Sequence, residues 1–114
     1  MKDQLFLLRP GFFNEDKGPF YCGDSVSVEG LLGFFPQLRQ KVDVHYIEFP
    51  KPRNVVVELI GRDNQSIPVL VLASDRQIKA PSLSVSAHEG KRFINSEADI
   101  RKYLSSQYDL PGAG

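Results

Sequence analysis

The chain has 114 residues, 41% apolar and 25% charged, which is the ordinary balance of one globular domain. Its 14 lysines and arginines match its 14 aspartates and glutamates, so no net field draws it to nucleic acid or to an anionic membrane. A single cysteine excludes an internal disulfide and leaves the apolar core to hold the fold.

The N-terminal MKDQLFLLRPG lacks the longer apolar core of a signal peptide, and no apolar run approaches the roughly 20 residues that span a bilayer. The expectation is a cytoplasmic protein with no membrane or nucleic-acid partner. Gln4 to Arg9 is a short apolar run closed by Pro10 and Gly11, which predicts a buried strand. Pro10 to Tyr21 reads as a polar connection. Val28, Leu31, Leu32 and Phe35 repeat at helical spacing, so a helix is predicted from about Asp24 until Pro36 ends it.

Val42 to Phe49 is rich in β-branched and aromatic residues and is stopped by Pro50 and Pro52, which predicts a second strand and closes a βαβ unit. Pro52 suits a first helical position, and Val56, Leu59 and Ile60 form an apolar stripe that Gly61 can end. Ile67 to Ala73, IPVLVLA, predicts a third strand whose proline need not donate to the ladder. Asp75 to Lys91 is long, polar and proline-bearing, and reads as a loop with at most a stray strand. Lys91 to Ile94 predicts a short strand, and Ser96 to Tyr108 carries Ile100, Tyr103 and Leu104 on one face of a last helix before a frayed PGAG tail. The predicted order is β, α, β, α, β, β, α in one domain over residues 1–114.

One short stretch carries candidate chemistry. CGDS, residues 22 to 25, puts Cys22 just before the first helix, where exposed N–H groups favour a thiolate, while Asp24 favours the neutral thiol. Cys22 therefore reads either as a reactive thiol or as an inert small filler. With Ser25 in place of a second cysteine, a redox cycle would pass through a mixed disulfide resolved by an outside thiol. Ser96 with Asp99 three residues on is a capping-box pattern, so Ser96 is expected to cap the last helix, and Glu97 to sit in its first turn as a dipole partner. Lys51 and Arg53 are candidate partners for a ligand carboxylate, though such residues are usually solvated. His45 and His88 make no recognisable metal spacing with one cysteine, and no metal site is expected.

The element order, with Cys-x-x-Ser at a helix start and Ile-Pro before the third strand, resembles the thioredoxin fold, in particular glutaredoxins and the N-terminal domain of glutathione transferases. CGDS resembles the CGFS of monothiol glutaredoxins, Lys17, Gly18 and Pro19 resemble their Lys-Gly element, and residues 96 to 104 echo a transferase ending. As a whole the chain most resembles a bacterial thioredoxin-like family of unknown function, in which the segment is expected to read more often Cys-Pro-x-Cys. The resemblance implies an α/β thioredoxin-like fold, βαβ-α-ββα, with a central four-stranded mixed sheet flanked by helices. It implies a cis Ile67-Pro68 bond facing Cys22, and a ligand carboxylate received at Ser96 and Glu97. It also implies a monothiol oxidoreductase with glutathione as cosubstrate, or a protein thiol as partner, and no covalently bound cofactor. The alternatives it leaves open are a noncatalytic thioredoxin-fold binding module and an iron-sulfur carrier of the monothiol glutaredoxin type. The sequence departs from the family in its longer Pro10–Tyr21 connection, in the reversed Ser96-Glu97 order and in the 75–91 excursion.

Overall fold

Successive side chains of a strand point to opposite faces, so a strand that is apolar at every position must be covered on both sides. Strand β1 (Asp3–Leu8) is such a strand: every residue but Gln4 is buried. In the computed structural model, which describes residues 1–114, Leu5 and Leu7 enter one core with Val28, Leu32, Ile100 and Leu104, while Phe6 enters another with Val56, Ile60 and Phe93. The first core lies under helices α1 (Gly23–Phe34) and α3 (Glu97–Gln107), the second under helix α2 (Asn54–Ile60). Each fully buried large side chain contributes about 1.5–3 kcal/mol of transfer free energy, and Phe6, Leu5, Leu7, Phe93 and Tyr103 are all in that class.

The sheet that these helices flank has five strands. Strands β4 (Val42–Ile47), β5 (Val69–Val71), β6 (Ser86–His88) and β7 (Lys91–Ile94) join β1 in the order β4-β1-β5-β7-β6. β1 and β4 are parallel, with Asp3 opposite Val42 and Leu8 opposite Ile47; the other pairs are antiparallel. A sixth and seventh strand, β2 (Phe12–Asn14) and β3 (Lys17–Phe20), form a separate hairpin. No helix is long and apolar enough to cross a membrane.

Three expectations are corrected. The sheet has five strands rather than four, because the 75–91 excursion supplies β6, which pairs with β7 through Ser86–Phe93 and His88–Lys91. The Pro10–Tyr21 connection is not irregular but folds into the β2–β3 hairpin, anchored where Phe12 stacks on Phe49 at 4.4 Å and Gly11 N donates to Phe20 O at 2.8 Å. Pro52 is not the first residue of α2, since Arg53 occupies the cap position and the helix begins at Asn54. Pro36 ends α1 as its lack of an N–H requires, and a 3-10 turn, Pro36–Gln40, then leads into β4.

Gly61 closes α2 at φ +91, in the region where side chains are disfavoured, and a Cβ there would fall 2.8 Å from the His88 ring. This glycine lets β6 approach the end of α2. At the other end of β1, the wholly buried Asp3 carboxylate accepts hydrogen bonds from the Tyr103 hydroxyl, from Ala73 N at 2.7 Å and from Arg76 Nε at 3.1 Å, joining β1, α3 and the chain beyond β5.

Candidate functional site

Cys22 is the N-cap of α1, with extended backbone, and its Sγ accepts the Ser25 N–H at 3.4 Å. The first N–H groups of a helix have no intrahelical partner, so a sulfur at the cap position receives one of them. The thiol is partly buried, and it donates toward the Ile67 carbonyl at 4.0 Å. The Ile67-Pro68 bond is cis, as the resemblance implies, and Pro68 is buried. Two segments 45 residues apart in sequence thus meet at the sulfur.

Ser25 has a different occupation. It is 4% exposed, and its Oγ accepts the Leu8 N–H at 3.1 Å, pinning the first turn of α1 to the end of β1. That bond positions the helix start that carries Cys22.

A cavity of about 200 Å³ opens beside the sulfur. Leu7, Leu8, Pro10 and Val26 give it apolar walls, and Tyr46 and Glu29 close one side. There the Tyr46 hydroxyl donates to Glu29 at 2.8 Å, and Arg39 donates to Glu29 at 2.7 Å and to the Tyr46 oxygen at 3.1 Å. Burial is the main cause that raises the Tyr46 pKa above its ordinary value, so the phenol stays neutral. A larger cavity, about 600 Å³, lies between α1, α3 and residues 110–113 and contains neither Cys22 nor another nucleophilic thiol. The one thiol of the chain lines the smaller cavity.

Arg53 and Lys51 part company. The Arg53 guanidinium donates to Phe49 O at 3.0 and 2.6 Å and to Gln65 O at 2.7 Å, while its backbone N–H donates to Gln65 Oε1 at 2.7 Å. It ties the chain before α2 to the chain before Ile67, and so holds the segment facing Cys22. No carboxylate pairs with it. Burial lowers its pKa below the ordinary guanidinium value. Lys51 is exposed and makes no side-chain hydrogen bond or ion pair.

Ser96 caps α3 by accepting the Asp99 N–H at 3.4 Å. The Glu97 carboxylate accepts from the Ser27 hydroxyl of α1 and from Arg101 Nε at 2.5 Å, so it bridges two helices. These contacts hold its pKa below the ordinary carboxylate value, the Ser27 hydrogen bond most of all. Neither Ser96 nor Glu97 hydrogen-bonds to Cys22 or Ile67. His45 stacks on Phe6 at 4.8 Å, His88 lies against Gly61, and no group of three metal-ligating side chains comes together.

Sequence reasoning missed the Glu29–Arg39–Tyr46 triangle and the hairpin that carries Pro10 and Tyr21 to the cavity mouth. The triangle has no sequence signal, because its members sit on α1, the 3-10 turn and β4. The hairpin had one: Asn14 to Lys17 is a turn-rich stretch between two aromatic pairs.

Fold and site together define a small α/β protein with one thiol at a helix N-terminus. Residues 2–112 match the family described as protein of unknown function, DUF3088, and the chain belongs to that family. The comparisons with curated proteins and with solved structures return no match.

Proposed function

We propose that the chain is a thioredoxin-fold monothiol protein whose Cys22 exchanges disulfides with glutathione or with a cysteine of another protein. The observation that carries this reading is the placement of the sulfur: it caps α1, accepts the Ser25 N–H and opens on a cavity lined by Leu8, Pro10 and Val26. The fold reading is supported by the strand order β4-β1-β5-β7, with one parallel pair and helices on both faces.

In the exchange, the Cys22 thiolate attacks one sulfur of an incoming disulfide. A new S–S bond forms, the old one breaks, and the departing sulfur leaves with the electron pair and takes up a proton from water. A second thiol, deprotonated in its turn, attacks the mixed disulfide and releases Cys22, so the oxidising equivalent enters and leaves with the substrates. Ser25 supplies no sulfur and is held by Leu8, hence the resolving thiol comes from outside. Lys51, which is exposed and unpaired, is available to a glutathione carboxylate, whereas the Arg53 guanidinium is occupied by backbone carbonyls.

Intact mass after incubation of the native protein with oxidised glutathione tests this. One glutathione adduct is expected, absent in Cys22→Ser and released by added thiol. An adduct that forms only in denaturant would make Cys22 an inert cap and end the reading.

A further inference from the structure

The larger cavity has a chemistry of its own, separate from Cys22. Its volume, about 600 Å³, falls within the range of small-molecule sites, about 300–1,000 Å³. None of its eleven lining residues is acidic, and two, Arg101 and Lys102, are cations. Arg101 is bound to Glu97 through Nε, which leaves both Nη groups without a partner. Lys102 donates only to the neutral Ser82 hydroxyl, at 2.7 Å.

Ser105 lines the same cavity, on α3 with these two cations. It is 7% exposed, and its hydroxyl makes no hydrogen bond within the protein. His45 Nε2 is the one side-chain polar atom that is buried without a partner, so the Ser105 hydroxyl still meets solvent in the cavity and is free to donate to an acceptor there. The neighbouring Ser106 differs, because its hydroxyl is already engaged with the Lys102 and Tyr103 carbonyls at 2.7 and 3.3 Å. Opposite the polar wall stand Leu31, Phe35 and Leu110, partly buried and packed on the main core.

We propose that this cavity binds an amphipathic organic monoanion, a carboxylate with an aliphatic body. The carboxylate meets the free Arg101 Nη groups, Lys102 and the Ser105 hydroxyl, and the body lies on Leu31, Phe35 and Leu110. A guanidinium fork matches the two carboxylate oxygens, which sets a carboxylate above a bare halide. An ammonium head would be repelled by the same wall.

Titration of the full chain with octanoate, followed by amide NMR, tests the site, with octylammonium and acetate as controls. Saturable shifts are expected at Leu31, at Arg101 to Ser106 and at Leu110, with both controls weaker by about tenfold or more, the scale of one lost charge-assisted contact. Lys102 is exposed, so Lys102→Glu keeps the fold and is expected to weaken octanoate by about tenfold. Ser105→Ala is expected to weaken it by about threefold, and Cys22→Ser not at all. Unsaturable shifts, equal binding of octylammonium, undiminished binding to Lys102→Glu, or shifts centred on Cys22 would each overturn the proposal.

Discussion

Asp3 is the only charged side chain that is fully buried, and its two oxygens accept three donors, from Tyr103, Ala73 and Arg76. A buried carboxylate is tolerated only when it is satisfied in this way. Burial first, and Asp3 second, raise the Tyr103 pKa above its ordinary 10.0. A raised native pKa means that the group's contribution is complete below pH 10 and is lost as pH rises beyond it. Tyr103→Phe is therefore expected to cost about 1–2 kcal/mol at neutral pH, for one lost buried hydrogen bond. The gap between wild type and variant, read from urea midpoints between pH 7 and pH 11, should narrow above pH 10. A gap constant with pH would mean that neither burial nor Asp3 raises the Tyr103 pKa on folding. The apolar face of the last helix was legible from Ile100, Tyr103 and Leu104, but the hydrogen-bond partner of Tyr103 stands 100 residues away, beyond the reach of any local pattern.

The elements follow the sequence where periodicity is clean and depart from it where contacts between elements decide. β7 occupies Lys91–Ile94 as its residues predict, whereas α2 starts at Asn54, two residues after Pro52, with Arg53 at the cap position and its N–H on the distant Gln65. α1 and α3 show the same division. Ser96 caps α3 as the capping pattern implies, while Glu97, legible only as a first-turn acid, reaches across to Ser27. The Glu97 pKa is held below 4.5, chiefly by Ser27 and then by Arg101. A depressed native pKa gives stability that is present above 4.5 and disappears as pH falls through the native value. Glu97→Gln is expected to lose about 0.5–1 kcal/mol at pH 7, typical of a partly exposed pair. Thermal unfolding of both proteins should therefore draw together as pH falls from 4.5 through the native value. A difference that persists in acid would assign the loss to packing rather than charge.

At the scale of the whole molecule, one buried strand with helices on both faces was legible because β1 is apolar at consecutive positions. The larger cavity was not, since residues 31–35, 98–106 and 110–113 meet only after α1, α3 and the last segment have packed. The same packing predicts where the molecule opens. β1 and β5 are buried and paired on both sides, whereas every residue of the β2–β3 hairpin is exposed except the half-buried Phe12. Opening free energies follow buried apolar contact, so amides of β1 and β5 are expected to exchange slowest, and those of the hairpin faster by about a hundredfold or more. Pro10 and Tyr21 flank the hairpin and form part of the cavity beside Cys22, so opening of the hairpin is expected to widen access to the sulfur. Hydrogen exchange of the native chain, compared with the rate of alkylation at Cys22, tests the coupling. If Phe12→Ala removes the stack on Phe49 and speeds both processes together, the hairpin gates the thiol. If alkylation stays unchanged while hairpin exchange rises, the sulfur is reached without opening of the hairpin.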